Sequence, residues 1–131
     1  MEAVRAVYGN GPRTASDLSS LNAFSLFDEN VEFHAPDWLP EAGLYRGLEG
    51  MAEWFRKWIG TWAEYEAEAL EFIDAGDHVV VEHIQRGRGK GSGVYGELRH
   101  WSVYTFSGDK VVRWRSYRTR AEALEAVGPP E

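Results

Sequence analysis

The sequence predicts an α+β domain in which one aromatic helix packs against an antiparallel sheet. Residues 47–65 form the most aromatic and most strongly helical stretch of the chain. Within it, Phe55, Trp58 and Trp62 recur at spacings of three and four, so they share one face of a helix. From Tyr65 onward the hydrophobic period changes to two, which indicates strands. We therefore expect a sheet folded around this helix, with a cavity between them.

Before the aromatic helix, turn and cap residues divide the chain into short elements. Glycines and a proline at positions 9–12 stop an opening helix, and Thr14 or Ser16 can cap a second one. Pro36 and Pro40 end a brief strand of alternating character. The expected order is a helix over residues 1–8, a helix over 17–27 ended by 28–30, a strand over 31–34, an extended or turned segment over 37–39, a turn-rich lead over 43–47 and the aromatic helix over 47–65.

After that helix, turn-forming residues mark reversals between long strands, which is typical of an antiparallel meander. Thr119 and Glu122 have the spacing of a capping box, and Gly128 can end the helix that they begin. The expected elements are strands over residues 66–73, 78–86, 94–106 and 110–118, reversals at 75–77, 87–93 and 107–109, and a closing helix over 121–127.

The composition is that of a single domain spanning residues 1–131. Hydrophobic residues make up 44% of the chain, yet no uncharged apolar run approaches the roughly 20 residues that span a bilayer. Cysteine is absent and the N-terminus lacks the layout of a signal peptide, so we expect a cytoplasmic protein that does not bind membranes. The formal net charge of -7 argues against nucleic-acid binding, because that affinity comes largely from Lys and Arg.

Both faces of the predicted sheet are partly apolar. In the third long strand, Trp101 and Val103 lie on one face, and Ser102 and Tyr104 lie on the other. A sheet with one face in water would alternate more cleanly between apolar and polar residues. Since the helix covers only one face, we expect a second copy of the chain to cover the outer face and form a homodimer.

An ordered set of segments resembles a SnoaL-like domain of the nuclear transport factor 2-like superfamily. The similarity runs from about Asp17 to Gly128, and it is carried by the segments DENVEFHAP, LYRGLEGMAEWFRKW, EFIDAGDHVVV, GRGKGSG, VYTFSGDKVVRW and YRTRAEALEAVG. The superfamily includes ketosteroid isomerase, scytalone dehydratase and limonene epoxide hydrolase. The resemblance implies a cone-shaped, cystatin-like α+β barrel whose curved sheet and helices enclose a mainly apolar pocket, usually in a dimer.

The resemblance also implies where functional residues would lie. In ketosteroid isomerase a carboxylate base stands at the end of the short strand, where this sequence has Ala35 with His34 beside it. The protonated acid that helps to hold the enolate oxygen matches Ser102, and its phenol partner matches Tyr8. Because the base and the acid are both absent, we do not expect steroid isomerisation by that mechanism.

Other residues could carry acid–base chemistry. If Ser102 faces the cavity, alternation brings His100 with it, and we expect the matching face of the second long strand to carry Glu82 and Arg86. Burial among valine and isoleucine would disfavour the ionised carboxylate of Glu82, which suits a general base. The candidate catalytic residues are therefore His34, Glu82 and His100.

Each candidate has a structural alternative. Glu82 can pair with Arg86 or Arg118 across the sheet. His100 can be a satisfied structural or solvent-facing histidine. Arg118 can clamp a carboxylate or an enolate oxygen at the pocket rim, or it can lie on the surface.

Large aromatic and polar side chains are the expected pocket wall. The histidines lack the spacing typical of metal ligands, so we expect no metal and no other cofactor. Residues 87–93 have the glycines of a phosphate cradle but not the order of a P-loop, and we expect a flexible hairpin there. The expected ligand-binding residues are Tyr8, Trp38, Trp54, Phe55, Trp58, Arg86, Ser102, Tyr104, Trp114, Ser116 and Arg118.

Three functions fit these features. The first is a domain that binds a small hydrophobic molecule in an apolar pocket. The second is a cofactor-independent enzyme of isomerase, dehydratase or cyclase type that acts by acid–base chemistry on a small hydrophobic carbonyl compound. The third is a structural dimer with a filled pocket. A titratable residue lining the cavity within reach of another would favour the enzyme, and a purely aromatic cavity would favour binding alone.

Overall fold

The structure is a computed structural model that describes residues 13–14, 26–35, 43–91 and 93–128. Its described strands form one seven-stranded sheet in the order β1-β4-β5-β6-β7-β2-β3, accompanied by two helices. The predicted α+β class is confirmed. The elements are β1 (Arg13–Thr14), β2 (Phe27–Ala35), β3 (Gly43–Arg46), α1 (Gly47–Gly60), β4 (Trp62–Ala75), β5 (His78–Gly89), β6 (Tyr95–Ser107), β7 (Lys110–Tyr117) and α2 (Arg120–Val127).

The antiparallel meander from β4 to β7 forms as predicted, since each of these strands pairs antiparallel with the next. The sheet then continues past β7. Strand β2 pairs parallel with β7, placing Phe33 opposite Trp114, and β3 pairs antiparallel with β2 at the edge. This parallel pairing joins segments far apart in sequence and sets the aromatic residues of β2 beside those of β7.

Several predicted boundaries are wrong. The helix expected over 47–65 ends at Gly60, and the chain is already extended at Trp62. The N–H and hydroxyl of Thr61 both donate to the Trp58 carbonyl, which closes the last turn. Residues 43–46, expected as a turn-rich lead, form β3, and Phe27 together with residues 28–30, expected at a helix end, begin β2.

Two early predictions lie largely outside the described residues. The helix over residues 1–8 is entirely outside, and so is most of the helix over 17–27. The closing helix is confirmed, because Thr119 is its N-cap and its hydroxyl accepts a hydrogen bond from the Glu122 N–H at 3.1 Å.

The inner face of the sheet is the face that packs against α1. Met51, Trp54 and Trp58 of the helix are buried there, in one cluster with Phe33 and Tyr104 of the sheet. Phe33 is central to this packing, because its ring centroid lies 4.9 Å from those of both Trp54 and Trp114. The predicted packing of an aromatic helix on the sheet is therefore confirmed.

The outer face of the sheet is the face that packs against α2. Ala123 of that helix is buried with Val80 and Val103, and Trp101 and Tyr117 pack around them. This intramolecular contact explains part of the apolar character that the sequence shows on the outer face. The homodimer expected from that character stays a prediction.

Gly87 provides a test of how β4 and β5 pack. An added Cβ would collide with the Glu64 carbonyl oxygen and lie 2.6 Å from the Trp62 ring. We predict that Gly87→Ala lowers the free energy of unfolding by about 2 to 3 kcal/mol, because neither the backbone nor the packed ring has room to move. Urea denaturation followed by circular dichroism measures the change.

The matched control is Gly60→Ala. An added Cβ there meets nothing within 4 Å, and alanine favours the helix, so stability should stay unchanged or rise by up to about 1 kcal/mol. If Gly87→Ala were as stable as the wild type, the close approach of Trp62 to this strand would be wrong.

Candidate ligand-binding site on the inner face

A cluster of polar side chains lies on the inner face, where β5, β6 and β7 meet. His83 Nε2 is 2.8 Å from Ser102 Oγ, and Ser102 Oγ is 3.1 Å from Ser116 Oγ. The His100 ring lies edge-on to His83, with the centroids 3.9 Å apart. We call these four residues, together with Gln85, the polar cluster. They run as a continuous line across three strands that are otherwise lined by apolar residues.

Strand register brings the cluster together. Val81 pairs with Ser102 and His83 with His100, while Ser102 also pairs with Ser116 on the next strand. Paired residues in an antiparallel sheet point to the same face, and so do residues two apart along one strand. The hairpin between β5 and β6 therefore fixes which polar groups meet.

Four of the five residues of the cluster are buried, Ser116 is partly buried, and none carries a formal charge at pH 7. His83, His100 and Ser102 are at most 3% exposed, and Gln85 is 8% exposed. Burial lowers the pKa of His100 to about 4, and burial, reinforced by His100, lowers the pKa of His83 well below its ordinary value. Both imidazoles are consequently neutral at pH 7, so each offers one N–H donor and one nitrogen acceptor.

Aromatic rings surround the cluster on the same face. Trp114 stacks on Tyr104 with centroids 5.0 Å apart and on Phe55 at 5.5 Å. Trp58 meets Trp62 edge-on at 5.3 Å. These rings pack mainly on one another, and they place the polar cluster in an apolar surrounding that suits a ligand with an apolar body and a polar group.

Three buried polar atoms of this face have hydrogen-bonding capacity that the described residues do not use. They are Gln85 Oε1, Trp62 Nε1 and Trp114 Nε1, and none has a hydrogen-bond partner within residues 13–14, 26–35, 43–91 and 93–128. Leaving such atoms unpaired inside a protein costs about 1 to 3 kcal/mol each. They are positions where a bound molecule could supply one acceptor for each indole and a donor for the amide oxygen.

The structure separates the proposed catalytic residues. His100 lies in the polar cluster, but the prediction that Glu82 and Arg86 share its face is wrong. Val81 is the residue that pairs with Ser102, so Glu82 and Arg86 point to the outer face. His34 also lies away from the cluster, because it sits beside Glu32 on the face opposite to Phe33.

On the outer face these residues take part in ion pairs. Glu82 is 3.0 Å from Arg99, which replaces the expected partners. Arg86 Nη1 donates to Glu66 at 2.7 Å, and Arg86 Nη2 lies 3.2 Å from Glu68. His34 Nε2 is 3.6 Å from a Glu32 oxygen, and its pKa is lowered by burial and by Arg115. His34, Glu82 and His100 therefore do not form one acid–base set.

The other predicted residues fall into three groups. Tyr8 and Trp38 lie outside the described residues. Arg118 is exposed just past the end of β7. The remaining predicted ligand-binding residues belong to the inner face and its helix, namely Trp54, Phe55, Trp58, Ser102, Tyr104, Trp114 and Ser116.

Sequence reasoning missed His83 and Gln85, because it placed Glu82 and Arg86, which alternate with them along β5, on the inner face. Three consecutive valines at 79–81 hide the alternation of this strand. A usable signal was the charge pattern, since Glu82, Arg86 and Arg88 all occupy even-numbered positions. Charged residues at every second position mark the solvated face of a strand, so His83 and Gln85, at the positions between them, lie on the buried face.

Two further searches cover only the described part of the chain. It contains no group of three His, Asp or Glu residues arranged to hold a metal ion. No helix within it is long and apolar enough to cross a membrane.

Comparison with known proteins places the chain in a family. Residues 13–114 match the SnoaL-like domain, so the chain belongs to the SnoaL-like domain family. None of the curated proteins matches the sequence significantly.

Solved structures of nuclear transport factor 2-like fold resemble nearly the whole chain. One such protein from Burkholderia pseudomallei K96243 is 21% identical, with a TM-score of 0.75 over 98% of this chain and 97% of its own. TerC, co-crystallised with polyporic acid, is 21% identical, with a TM-score of 0.73 over 98% and 97% of the two chains. A ketosteroid isomerase-like fold from Catenulispora acidiphila DSM 44928, in complex with trimethylamine, is 16% identical, with a TM-score of 0.67 over 98% and 89%. The predicted superfamily fold is confirmed.

Proposed function

We propose that the inner face binds a small, largely aromatic molecule whose polar group meets the polar cluster. The observation that supports this most is the line from His83 through Ser102 to Ser116, which places neutral hydrogen-bonding groups among aromatic rings. A core whose only role is packing would favour apolar residues at these positions. A ligand that also pairs with Gln85 Oε1, Trp62 Nε1 and Trp114 Nε1 would recover the cost of leaving those atoms without a partner among the described residues.

The chemistry of the ligand follows from the three buried atoms that have no hydrogen-bond partner among the described residues. Two indole N–H groups call for carbonyl or ether oxygens, and the Gln85 amide oxygen calls for a hydroxyl or N–H donor. The aromatic residues Trp114, Tyr104 and Phe55, which stack on one another beside the cluster, favour an apolar, largely aromatic body for the ligand. TerC and the Catenulispora protein share this fold and were each crystallised with a small molecule, which supports the fold as a binding scaffold.

Acid–base catalysis is a second candidate, and the geometry that favours it differs from the set expected from the sequence. Ser102 Oγ lies within hydrogen-bond reach of a neutral His83, and His100 contacts the same ring. Both imidazoles are in the proton-accepting form at pH 7, although their lowered pKa values make them weak bases toward a small hydrophobic carbonyl compound. This enzyme would use His83 and His100, without a cofactor, in place of His34 and Glu82.

We also propose that two copies pair through their outer faces. The charge changes sign along that face. On β4, Glu66 and Glu68 share a single arginine partner, Arg86 of β5, and leave one negative charge in excess, whereas β7, on the far side of β5 and β6, presents Arg113 and Arg115. In a two-fold arrangement the acidic side of each copy meets the basic side of the other. A second copy thus fits this surface by charge.

For ligand binding, we predict that an uncharged aromatic compound with a carbonyl or hydroxyl group quenches the tryptophan fluorescence of the protein on titration. Ser102→Ala should weaken that binding on the order of tenfold, because one central hydrogen bond of about 1.4 kcal/mol is lost. The control is Ser107→Ala, which removes the same group from an exposed position at the end of the same strand.

The outcomes separate the hypotheses. Equal weakening by both serine variants would contradict a role for the polar cluster, and absence of binding across a panel of indole, naphthol and naphthamide would contradict the binding function. Native mass spectrometry of the protein as purified adds an independent check, because a retained ligand would raise the mass above that of the 14.8 kDa chain. Turnover of a bound carbonyl compound that is lost in His83→Gln would favour the enzyme.

For the dimer, light scattering should give twice the mass of one chain at micromolar concentration. Reversing Arg113 and Arg115 to glutamate should produce monomers, and so should reversing Glu66 and Glu68 to arginine. Mixing these two variants should restore a dimer, because their charges are again complementary. Arg56→Glu on the exposed side of α1 is the control and should stay dimeric. A monomeric wild type would contradict the proposal.

A further inference from the structure

The indole of Trp62 lies against two glycines that face each other on adjacent strands. Gly87 of β5 pairs with Gly96 of β6. A Cβ built on Gly87 would lie 2.6 Å from Trp62 Cε3 and 3.1 Å from Cζ3, and a Cβ built on Gly96 would lie 4.0 Å from Trp62 Cη2. These three carbons form the edge of the indole that is opposite to its nitrogen. The N–H of Trp62 therefore lies on the side of the ring that is turned away from the glycine pair.

Two aromatic neighbours hold the indole in this orientation. Trp58 meets the Trp62 ring edge-on with centroids 5.3 Å apart, and the Tyr65 ring is 6.0 Å away. Tyr65 also pairs with Gly87, so it stands beside the glycines on which the indole rests. Trp62 Nε1 is buried and has no hydrogen-bond partner among the residues that the structure describes. The packed ring thus presents a donor whose direction is set by its neighbours.

Gln85 places an acceptor next to this donor. It precedes Gly87 by two residues on β5, so the two residues point to the same face. Its cross-strand partners are Ala67 on β4 and Leu98 on β6, whose side chains form no hydrogen bonds. Gln85 is 8% exposed, and its Oε1 is buried with no hydrogen-bond partner within the described ranges. This acceptor lies about 7 Å along the strand from the glycine pair that carries the indole.

A donor and an acceptor that lie near each other without bonding to each other can be bridged by one group. The bridging group needs an oxygen for the indole N–H and an N–H or O–H for the amide oxygen. A lactam carries a carbonyl oxygen and an N–H side by side on one edge. A lactone of the same shape carries two oxygens there, and its ring oxygen would face Gln85 Oε1 with no hydrogen between them, which leaves both acceptors unpaired.

We propose that Trp62 and Gln85 form a subsite that selects ligands with a hydrogen-bond acceptor and a donor on neighbouring atoms, as in a lactam. The inference rests on the proposed binding function and names the chemical class that this end of the polar cluster recognises. Ser102 pairs with Val81, four residues from Gln85, so the bonded serines lie about 13 Å further along the strands. An apolar body fits between the lactam group and the serines.

Three bicyclic compounds of similar shape test the subsite. 2-Quinolone is a lactam with an N–H beside its carbonyl, N-methyl-2-quinolone lacks that N–H, and coumarin has a ring oxygen in its place. Each compound is titrated by calorimetry into the wild type and into Gln85→Leu, which replaces the amide by an apolar group of similar size. Ser107→Ala is the control, because it changes an exposed residue at the end of β6. Circular dichroism checks that each variant is folded.

The proposal expects the wild type to bind 2-quinolone on the order of tenfold more tightly than coumarin or the N-methyl compound, because 2-quinolone alone donates to Gln85 Oε1. The preference should disappear in Gln85→Leu, since the acceptor that discriminates among the probes is gone. Trp62→Phe should weaken 2-quinolone and coumarin by similar factors, because both offer a carbonyl oxygen to the indole N–H. Ser107→Ala should match the wild type with all three probes.

Equal affinities of the wild type for 2-quinolone and coumarin would overturn the proposal. A preference that persists in Gln85→Leu would also overturn it, as would a failure of 2-quinolone to bind. In each of these cases, binding of 2-naphthamide that Ser102→Ala weakens would leave the proposed binding function standing. If 2-naphthamide and the three bicyclic probes all fail to bind, the proposed function is contradicted and the subsite falls with it.

Discussion

The register in which β5 pairs with β6 decides which side chains meet inside this protein. Because Val81 lies opposite Ser102 and His83 opposite His100, the neutral polar groups face α1 and the charged residues face outward. Strand side chains alternate with a period of two, so a slip of one residue would exchange the two faces completely. The hydrogen bond between His83 and Ser102 and the ion pair between Glu82 and Arg99 are two consequences of this one register.

The same register sets two kinds of residue side by side on the inner face, and the proposed binding function depends on the less stabilising kind. Aromatic packing around Phe33, Trp54 and Trp114 provides the stabilising core of the domain. Beside it, three strands contribute buried hydrogen-bonding groups that a purely apolar core would avoid. The helix α1 covers the aromatic part, while the hydroxyl of Ser116 lies at the less buried end of the polar line.

The local signals in the sequence predicted much of this fold. The glycine and aspartate turns give the meander, and Thr119 with Glu122 gives the cap of α2. The pairing of β2 with β7 could not be predicted from periodicity. About 80 residues separate the paired positions, and the alternation of residues within each strand does not indicate which strand will be its parallel neighbour. The end of α1 was misplaced because Trp62 and Tyr65 continue the helical spacing of apolar residues, although aromatic residues are enriched in strands and begin one here.

The site was harder to predict than the fold. His100, Ser102, Tyr104, Trp114 and Ser116 were placed on one face by simple alternation within β6 and β7. The face of β5 that joins them was assigned wrongly for two reasons. Three consecutive valines do not show which positions of the strand point inward, and the register between β5 and β6 depends on the length of a glycine-rich hairpin. That error selected Glu82 where the fold places His83. The likeness to superfamily enzymes did not correct it, because a shared fold leaves the identity of the polar residues open.

Nuclear magnetic resonance of the imidazole nitrogens tests the face assignment most directly. Because burial lowers the pKa of both His83 and His100, their rings should keep the nitrogen shifts of neutral imidazole as the pH falls from 8 to 5 in the folded protein. Cross-strand contacts between the two rings should persist over the same range. If both rings instead gained a proton near pH 6.5, as exposed histidines do, β5 would present its other face to the interior and the proposed binding site would be wrong.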